Sequence, residues 1–332
     1  MAAQQREFAV RRERLALRAH IPHTASPPIE IDLGNFVGLQ VETTLWVSAT
    51  PLVSTESRTS ALAAVLAWQA RRERINGAVT HIKICDATTP GFTARRASYF
   101  SLPIEVLDIR NGRGTIATPA PHEPVVQAHP EHLALAEMFR NAGADVVVEH
   151  GVVAGEVAGL EVARVIDEHG SPRVRIGVGT HDREMFKMLH GDAATSDQLG
   201  GVVQTVLQHR RPGAPTHPLN LLAVERAMRS QTIASPATIG LQTLQVAEPP
   251  VARKNLKDAE PCCAVGTDHS GVAVVVVFMA GIDLDVVPFA ADARDRLSPR
   301  GRLIIAAAQR NIVPLQIRVA ELLTQPAQFV SA

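Results

Sequence analysis

The sequence predicts an α/β fold, or an α+β fold, divided into two or three segments. Runs of apolar, β-branched residues alternate with stretches of helical periodicity, which is the pattern of sheets covered by helices. The chain has 332 residues, a length that corresponds to two or three domains of ordinary size. Hydrophobic residues make up 46% of the chain and aromatic residues only 4%, so we expect a core of Val, Leu, Ile and Ala.

Two polar stretches that contain prolines divide the chain into three predicted segments. The first stretch spans 117–132 and the second spans 247–261. We therefore predict an N-terminal α+β segment at 1–118, a central segment of strand hairpins and helices at 119–247, and a C-terminal α/β segment at 248–332.

The N-terminal segment begins with a charged stretch, which is followed by strands between Ile29 and Pro51. A helix is predicted at about 58–74 and a strand at 78–85. Two further strands flank Asn111-Gly112, a dipeptide that is typical of a hairpin turn.

The central segment alternates helices with strands. Helices are predicted at 132–141, 182–190 and 219–229, and strands at 146–165 and 173–179. Thr195 and Gln198 have the spacing of a capping box, which predicts that another helix begins there and runs to His209.

The C-terminal segment has the most regular pattern. Strands are predicted at 262–268, 272–280, 302–308 and 327–332, and helices at 283–296 and 312–323. The element order is β-β-α-β-α-β, and the continuous apolar strands predict a sheet with helices on both faces.

Composition excludes several kinds of partner and site. The formal net charge is zero, so electrostatics gives no indication of nucleic-acid binding, and the scarcity of aromatics argues against base stacking. The three cysteines include no CxxC motif, which argues against a disulfide scaffold. Only four of the 33 basic residues are lysines, a bias that we interpret as the mark of a bacterial genome rich in G and C.

The expected location is the cytoplasm. The charged N-terminus lacks the apolar region of a signal peptide. The longest apolar run, 272–282, is too short to span a bilayer, so no membrane segment is expected.

A group of histidines and acids in the central segment is a candidate metal or catalytic site. His150, His181, Asp182 and His190 have side chains that bind divalent metals, and His181 and Glu184 are candidates for acid–base chemistry. The alternative is structural, because acids at the start of a helix and a histidine at its end both interact favourably with the helix dipole.

Two further groups are candidates for function. Asp283 and Asp285 follow a buried strand and precede a helix, where they either cap the helix or line a catalytic crevice. Arg210 and Arg211 are candidates for binding a phosphate group, although cations at the end of a helix are also expected on structural grounds.

The stretch "CCAVGTDHSGVAVVVVFMAGIDLDVVPFAADARDRL" opens a C-terminal region, 261–332, that resembles the core of the restriction-endonuclease-like PD-(D/E)xK superfamily in the order of its elements. The catalytic triplet of acid, any residue and lysine is absent, since Val277, Phe278 and Met279 occupy its place. The resemblance therefore implies a nuclease-like domain without nuclease activity.

The leading hypothesis is a cytoplasmic, non-catalytic binding or assembly protein with an inactive nuclease-like domain, which acts on a protein partner or by self-association. The first alternative is a metal-dependent hydrolase that uses the histidines and acids of 149–192 and a divalent metal cofactor. The second is a protein that binds a phosphate-containing ligand.

Overall fold

The computed structural model describes residues 2–22, 27–53, 59–71, 79–191, 194–211, 213–215, 217–255 and 258–332. The chain forms two compact units. Unit 1 comprises Met1–His122, Ile282–Asp292 and Ile312–Phe329, and unit 2 comprises Glu123–Gly281, Ala293–Asn311 and Val330–Ala332. The domains predicted at 1–118, 119–247 and 248–332 are each continuous in sequence, and this division of the chain stays a prediction.

Unit 1 is built on a six-stranded sheet with the order β1-β2-β3-β4-β5-β6. Its strands are β1 (Ile29–Asp32), β2 (Val37–Val41), β3 (Thr44–Ser48), β4 (His81–Asp86), β5 (Ile104–Asp108) and β6 (Thr115–Ile116). Strands β3, β4 and β5 are parallel, and the other pairs are antiparallel. The first helices are α1 (Ala2–Arg18), α2 (Ala61–Arg71) and α3 (Pro90–Ala97). The predicted hairpin of β5 and β6 is present, and the helix predicted at 58–74 is observed as α2. Positions 58 and 72–74 of that prediction lie outside the described residues.

The N-terminal part of unit 2 is a four-stranded antiparallel sheet with the order β10-β9-β8-β7. Its strands are β7 (Asp145–Glu149), β8 (Val152–Val157), β9 (Leu160–Glu168) and β10 (Ser171–Ile176). The helices that accompany it are α4 (Pro130–Ala134), α5 (Ala136–Asn141), α6 (Gly179–His190) and α7 (Ser196–Arg210). Phe139, Leu160, Val162 and Leu199 are completely buried in the core that these elements share.

Helix α7 begins where the sequence predicts. Thr195 accepts a hydrogen bond from the Gln198 backbone N–H at 3.2 Å, and the Gln198 side chain accepts one from the Thr195 N–H at 3.0 Å. The predicted capping box is therefore confirmed.

The remaining elements follow the predicted β-β-α-β-α-β order. A 3₁₀ turn at Pro218–Leu221, α8 (Val224–Ala234) and β11 (Leu241–Ala247) precede β12 (Cys262–Asp268), β13 (Ala273–Phe278), α9 (Val286–Leu297), β14 (Arg302–Ala307), α10 (Pro314–Glu321) and β15 (Ala327–Ser331). The sheet order is β11-β12-β13-β14-β15, with β13 and β14 parallel. The predicted α/β class is confirmed.

Strand β13 is buried along almost its whole length, because Val274 to Phe278 are at most 1% exposed. Met228 and Ile233 of α8 pack against the core cluster that contains Val274, Val276 and Phe278 of this strand. The three cysteines are free and buried. Within the described residues, no helix is both long and apolar enough to cross a bilayer.

Candidate functional site

A cavity in unit 2 lies against the β7–β10 sheet and has a volume of about 770 Å³. Strands β7, β8 and β9, the first turn of α6, helix α8 and the segment after β11 all contribute to its wall. The charged and imidazole side chains on this wall are Glu149, His150, Glu161, Arg164, His181, Arg183, Arg226, Arg253, Lys254 and Asp258. Five of them are arginine or lysine and three are carboxylates, so cations predominate.

Three two-residue turns connect the strands of this sheet. They are His150-Gly151, Ala158-Gly159 and His169-Gly170, and in each turn both residues have a positive φ of 47° to 77°. This is the conformation of type I′ turns, whose twist matches that of the strands they join. Each glycine tolerates the second position because it has no Cβ. The turns hold four short strands in a fixed register, which determines the side chains that share a face.

The register places apolar and cationic residues side by side. Val147 of β7 pairs with Ala154 of β8, which pairs with Arg164 of β9. The pairing then shifts, because Glu156 lies opposite Glu161, so that β9 contains one more residue than β8 over this stretch. Such a bulge reverses the alternation of side chains. It allows Glu161 and Arg164, which are three residues apart, to meet on the same side of the strand.

Two glutamates and two arginines form a buried network beside the cavity. Arg226 donates hydrogen bonds to Glu149 and to Glu156. Arg229 donates to Glu149 Oε1 at 2.7 Å and to Glu156 Oε2 at 3.3 Å. Arg226 and Arg229 are three residues apart on α8, so they project from one face of that helix. Each arginine therefore bridges the same two carboxylates.

The network keeps its charges although its side chains are largely buried. The Arg229 side chain is only 1% exposed. Burial alone would raise the pKa of Glu149, but Arg226 and Arg229 outweigh it and hold that pKa below its usual value. Burial opposes the charge of Arg226 as well, and Glu156 and Glu149 nevertheless raise its pKa. The acids and arginines thus stabilise each other in the ionised form.

A third glutamate is shared by two arginines at the cavity wall. Arg164 donates to Glu161 through Nε at 2.6 Å and through Nη2 at 2.8 Å, and Arg183 donates to it through Nη1 at 2.5 Å. Burial raises the pKa of Glu161, but the hydrogen bond and charge of Arg164, together with Arg183, lower it overall. Together with the buried network, these residues form an arginine–glutamate cluster of four arginines (164, 183, 226 and 229) and three glutamates (149, 156 and 161), which has one excess positive charge.

The first turn of α6 lies on the same wall. Gly179 and Thr180 line the cavity together with His181. The first N–H groups of a helix have no acceptor within it and carry a partial positive charge. Asp182 accepts a hydrogen bond from the Val178 N–H at 2.6 Å, and it is not among the described residues that line this cavity.

The structure brings together two of the predicted metal ligands. His150 and His181 both line the cavity, whereas Glu184 and His190 are exposed on α6, where the His190 ring packs on Phe186. The His150 backbone N–H donates to Glu248 at 2.6 Å. Among the residues that the structure describes, no three His, Cys, Asp or Glu side chains are placed to hold a metal ion.

Arg210 and Arg211 lie outside the cavity wall. Arg210 is buried and donates to the carbonyl oxygens of Ala158, Leu219 and Leu222 at 2.7–3.2 Å. These bonds connect the β8–β9 turn to the chain after α7, which is a structural role. Arg211 is exposed just after the end of α7.

Asp283 and Asp285 precede α9 and belong to unit 1. Asp285 accepts hydrogen bonds from the backbone N–H and the hydroxyl of Ser60, both at 2.5 Å, while Asp283 accepts one from the Asp285 N–H. Burial raises the pKa of Asp285 to about 6, with a smaller contribution from the charge of Asp283, against the Ser60 hydrogen bonds.

The positions that a PD-(D/E)xK nuclease would use for its triplet are apolar and buried here. Val277 and Phe278 end β13, and Met279 follows them at 1% exposure. The resemblance of this region to that superfamily stays a prediction.

Sequence reasoning missed the arginines of the cluster. Arg226 lies 77 residues from Glu149, and Arg229 lies 80 residues from it. One local signal was available: Gly151, Gly159 and Gly170 interrupt a region rich in β-branched residues at intervals of 8 and 11 residues, which is typical of consecutive hairpins.

Comparisons with family models, with curated proteins and with solved structures found no match.

Proposed function

We propose that the protein binds a small anionic ligand, with a phosphate or carboxylate group, in the cavity of unit 2. The observation that carries this proposal is the pairing of Arg164 and Arg183 with a single carboxylate, that of Glu161, on the wall of the cavity. Arginine matches phosphate and carboxylate groups with its planar set of donors. An anion would compensate the excess positive charge of the arginine–glutamate cluster, and the first turn of α6 would add favourable partial charge.

The donors of Arg183 support this interpretation. Its guanidinium makes one hydrogen bond to a described residue, through Nη1 to Glu161. The Arg183 side chain lines the cavity and is only 12% exposed. A ligand anion would therefore gain charge-assisted hydrogen bonds in a setting where water competes weakly.

The charge states of the acids favour binding over acid–base catalysis. Glu149 and Glu161 both have a pKa held below the usual value by neighbouring arginines. A general acid or base works best with a pKa near the operating pH. The function we propose is therefore the second alternative, a protein that binds a phosphate-containing or similar anionic ligand, with its site in this cavity instead of at Arg210 and Arg211.

The test is titration calorimetry with inorganic phosphate, pyrophosphate and citrate, with glucose and spermidine as neutral and cationic probes. We expect binding of at least one anion, weakened by added salt. Arg183→Gln should weaken that binding about 10- to 100-fold, because hydrogen bonds to charged groups contribute roughly 1.5–3 kcal/mol.

Arg140→Gln is the matched control. Arg140 is exposed on α5 and pairs with Glu137 on the surface, so its replacement should leave binding unchanged. Failure of all three anions to bind the wild-type protein would refute the proposal.

Titration after treatment with 1,10-phenanthroline separates this function from the metal-dependent alternative, because this neutral chelator removes transition metals without competing for an anion site. Binding by arginines needs no metal, so the affinity should be the same before and after treatment. Loss of binding, restored by a divalent metal and abolished by His181→Ala, would favour the site built on His150 and His181.

A further inference from the structure

One wall of the cavity is formed by aliphatic side chains, and this composition indicates the class of ligand that the cavity suits. We infer that the ligand has an aliphatic body attached to its anionic group, as in an alkyl phosphate or a short-chain acid. This inference rests on the proposed function and adds the chemistry of the part of the ligand that lies away from the arginines.

The apolar wall is formed by strands β7 and β8 and by the start of α6. Val147 of β7 pairs directly with Ala154 of β8. Val152 lies two residues before Ala154, on the same face of β8. Val178, the residue before α6, completes the wall. The Val147–Ala154 pair continues across the sheet to Arg164. Apolar and cationic surface therefore adjoin within one row of side chains.

The cavity is larger than a simple oxyanion such as phosphate would fill. Its volume of about 770 Å³ falls within the range of roughly 300–1,000 Å³ that is common for sites of organic ligands. Val147 and Ala154 are already buried by the protein, whereas Val152 and Val178 are half-buried. A lone phosphate would leave Val152 and Val178 in contact with water, and an aliphatic chain would cover them.

The described wall contains no phenylalanine, tyrosine or tryptophan. Ligands with a nucleobase commonly stack on such rings, and flat aromatic ligands gain much of their affinity in this way. The branched aliphatic side chains present here instead suit methylene groups, which need close packing and no particular orientation.

The experiment is titration calorimetry with inorganic phosphate and with n-alkyl phosphates from methyl to hexyl. Burial of one methylene contributes about 0.8 kcal/mol, so we expect the affinity to rise about fourfold per methylene until the wall is covered. A flat series in a protein that binds inorganic phosphate would overturn this inference and leave the proposed function intact. No binding by any member would overturn both.

Val152→Thr tests the assignment of the wall without a change in side-chain shape or strand propensity. The variant should bind inorganic phosphate as the wild type does. The quantity compared is the ratio of the affinity for hexyl phosphate to that for methyl phosphate in each protein, and we expect this ratio to fall about threefold or more in the variant, because the added hydroxyl disfavours contact with methylene groups. Val148→Thr is the matched control, because Val148 is an exposed residue of β7 outside the described wall. An unchanged series in Val152→Thr, or the same fall in Val148→Thr, would overturn the assignment.

Discussion

At the scale of single residues, Arg229 has the least solvent contact of any arginine in unit 2's buried network. It is 1% exposed and hydrogen-bonds both Glu149 and Glu156, and its Nη1 also donates to the Cys263 carbonyl oxygen at 3.4 Å. An ion pair of this kind adds little net stability over an apolar replacement of the whole group. Removal of one partner is different, because it leaves a charge buried without compensation.

We predict that Arg229→Met lowers the free energy of unfolding by about 3–5 kcal/mol, the range for removing one partner of a buried pair. Urea denaturation followed by far-ultraviolet circular dichroism measures this loss. Arg229→Lys keeps the charge but cannot bridge two carboxylates, so it should lose less. Arg140→Met serves as the surface control, and a loss below 1 kcal/mol in Arg229→Met would contradict the prediction.

At the scale of elements, the backbone of the β8–β9 turn packs closely against α8. A Cβ on Gly159 would lie 2.3 Å from the carbonyl carbon and oxygen of Arg226, which is much closer than real Cβ contacts. The backbone of the turn thus packs directly on the backbone of α8 at the residue that bridges Glu149 and Glu156. The left-handed conformation favours glycine, and this close approach requires it.

We predict that Gly159→Ala destabilises the protein by about 2–4 kcal/mol, through backbone strain and displacement of α8. Gly170→Ala is the matched control: Gly170 has the same φ of 77° in the next turn, and a Cβ there meets nothing within 4 Å. The control should lose only about 1 kcal/mol, the cost of the conformation itself. Equal losses in the two variants, measured by urea denaturation, would show that the contact with α8 contributes nothing.

At the scale of the whole molecule, each unit contains an acid whose pKa is shifted by folding, and the two shifts have opposite directions. In unit 2, the pKa of Glu149 is lowered in the folded state, so its stabilising contribution is present above about pH 4.5 and is lost as the pH falls through the folded value. In unit 1, the pKa of Asp285 is raised from 3.8 to about 6. Asp285 therefore favours folding increasingly as the pH falls from 6 towards 4, because the folded state binds the proton more tightly.

We predict that Asp285→Asn removes this rise in the free energy of unfolding between about pH 6 and pH 4. Trp46 and Trp68 are the only two tryptophans and both lie in unit 1, so tryptophan fluorescence follows that unit during urea denaturation. Glu137→Gln, a change at an exposed site of unit 2, should leave the fluorescence profile unchanged. An identical pH profile in Asp285→Asn and the wild type would refute the assignment to Asp285.

Local patterns in the sequence determined the fold class, the β-β-α-β-α-β order and the start of α7. These features depend on contacts between near neighbours, such as the Thr195–Gln198 capping box, or on the periodicity of apolar residues, as in β13. Local patterns placed the first turn of α6 less well: the prediction began at Asp182, whereas the helix begins at Gly179, since glycine and threonine are weak helix formers.

Only the tertiary structure decided which charged residues form the candidate site. Glu149 and Arg226 meet because the β8–β9 turn packs on α8, and Glu161 meets Arg164 because a bulge in β9 reverses the alternation of side chains. A composition with zero net charge gave no sign of the local excess of positive charge at the cavity. The physical reason is that pairing of buried charges depends on register and helix packing between residues up to 80 positions apart, and no short-range pattern encodes either.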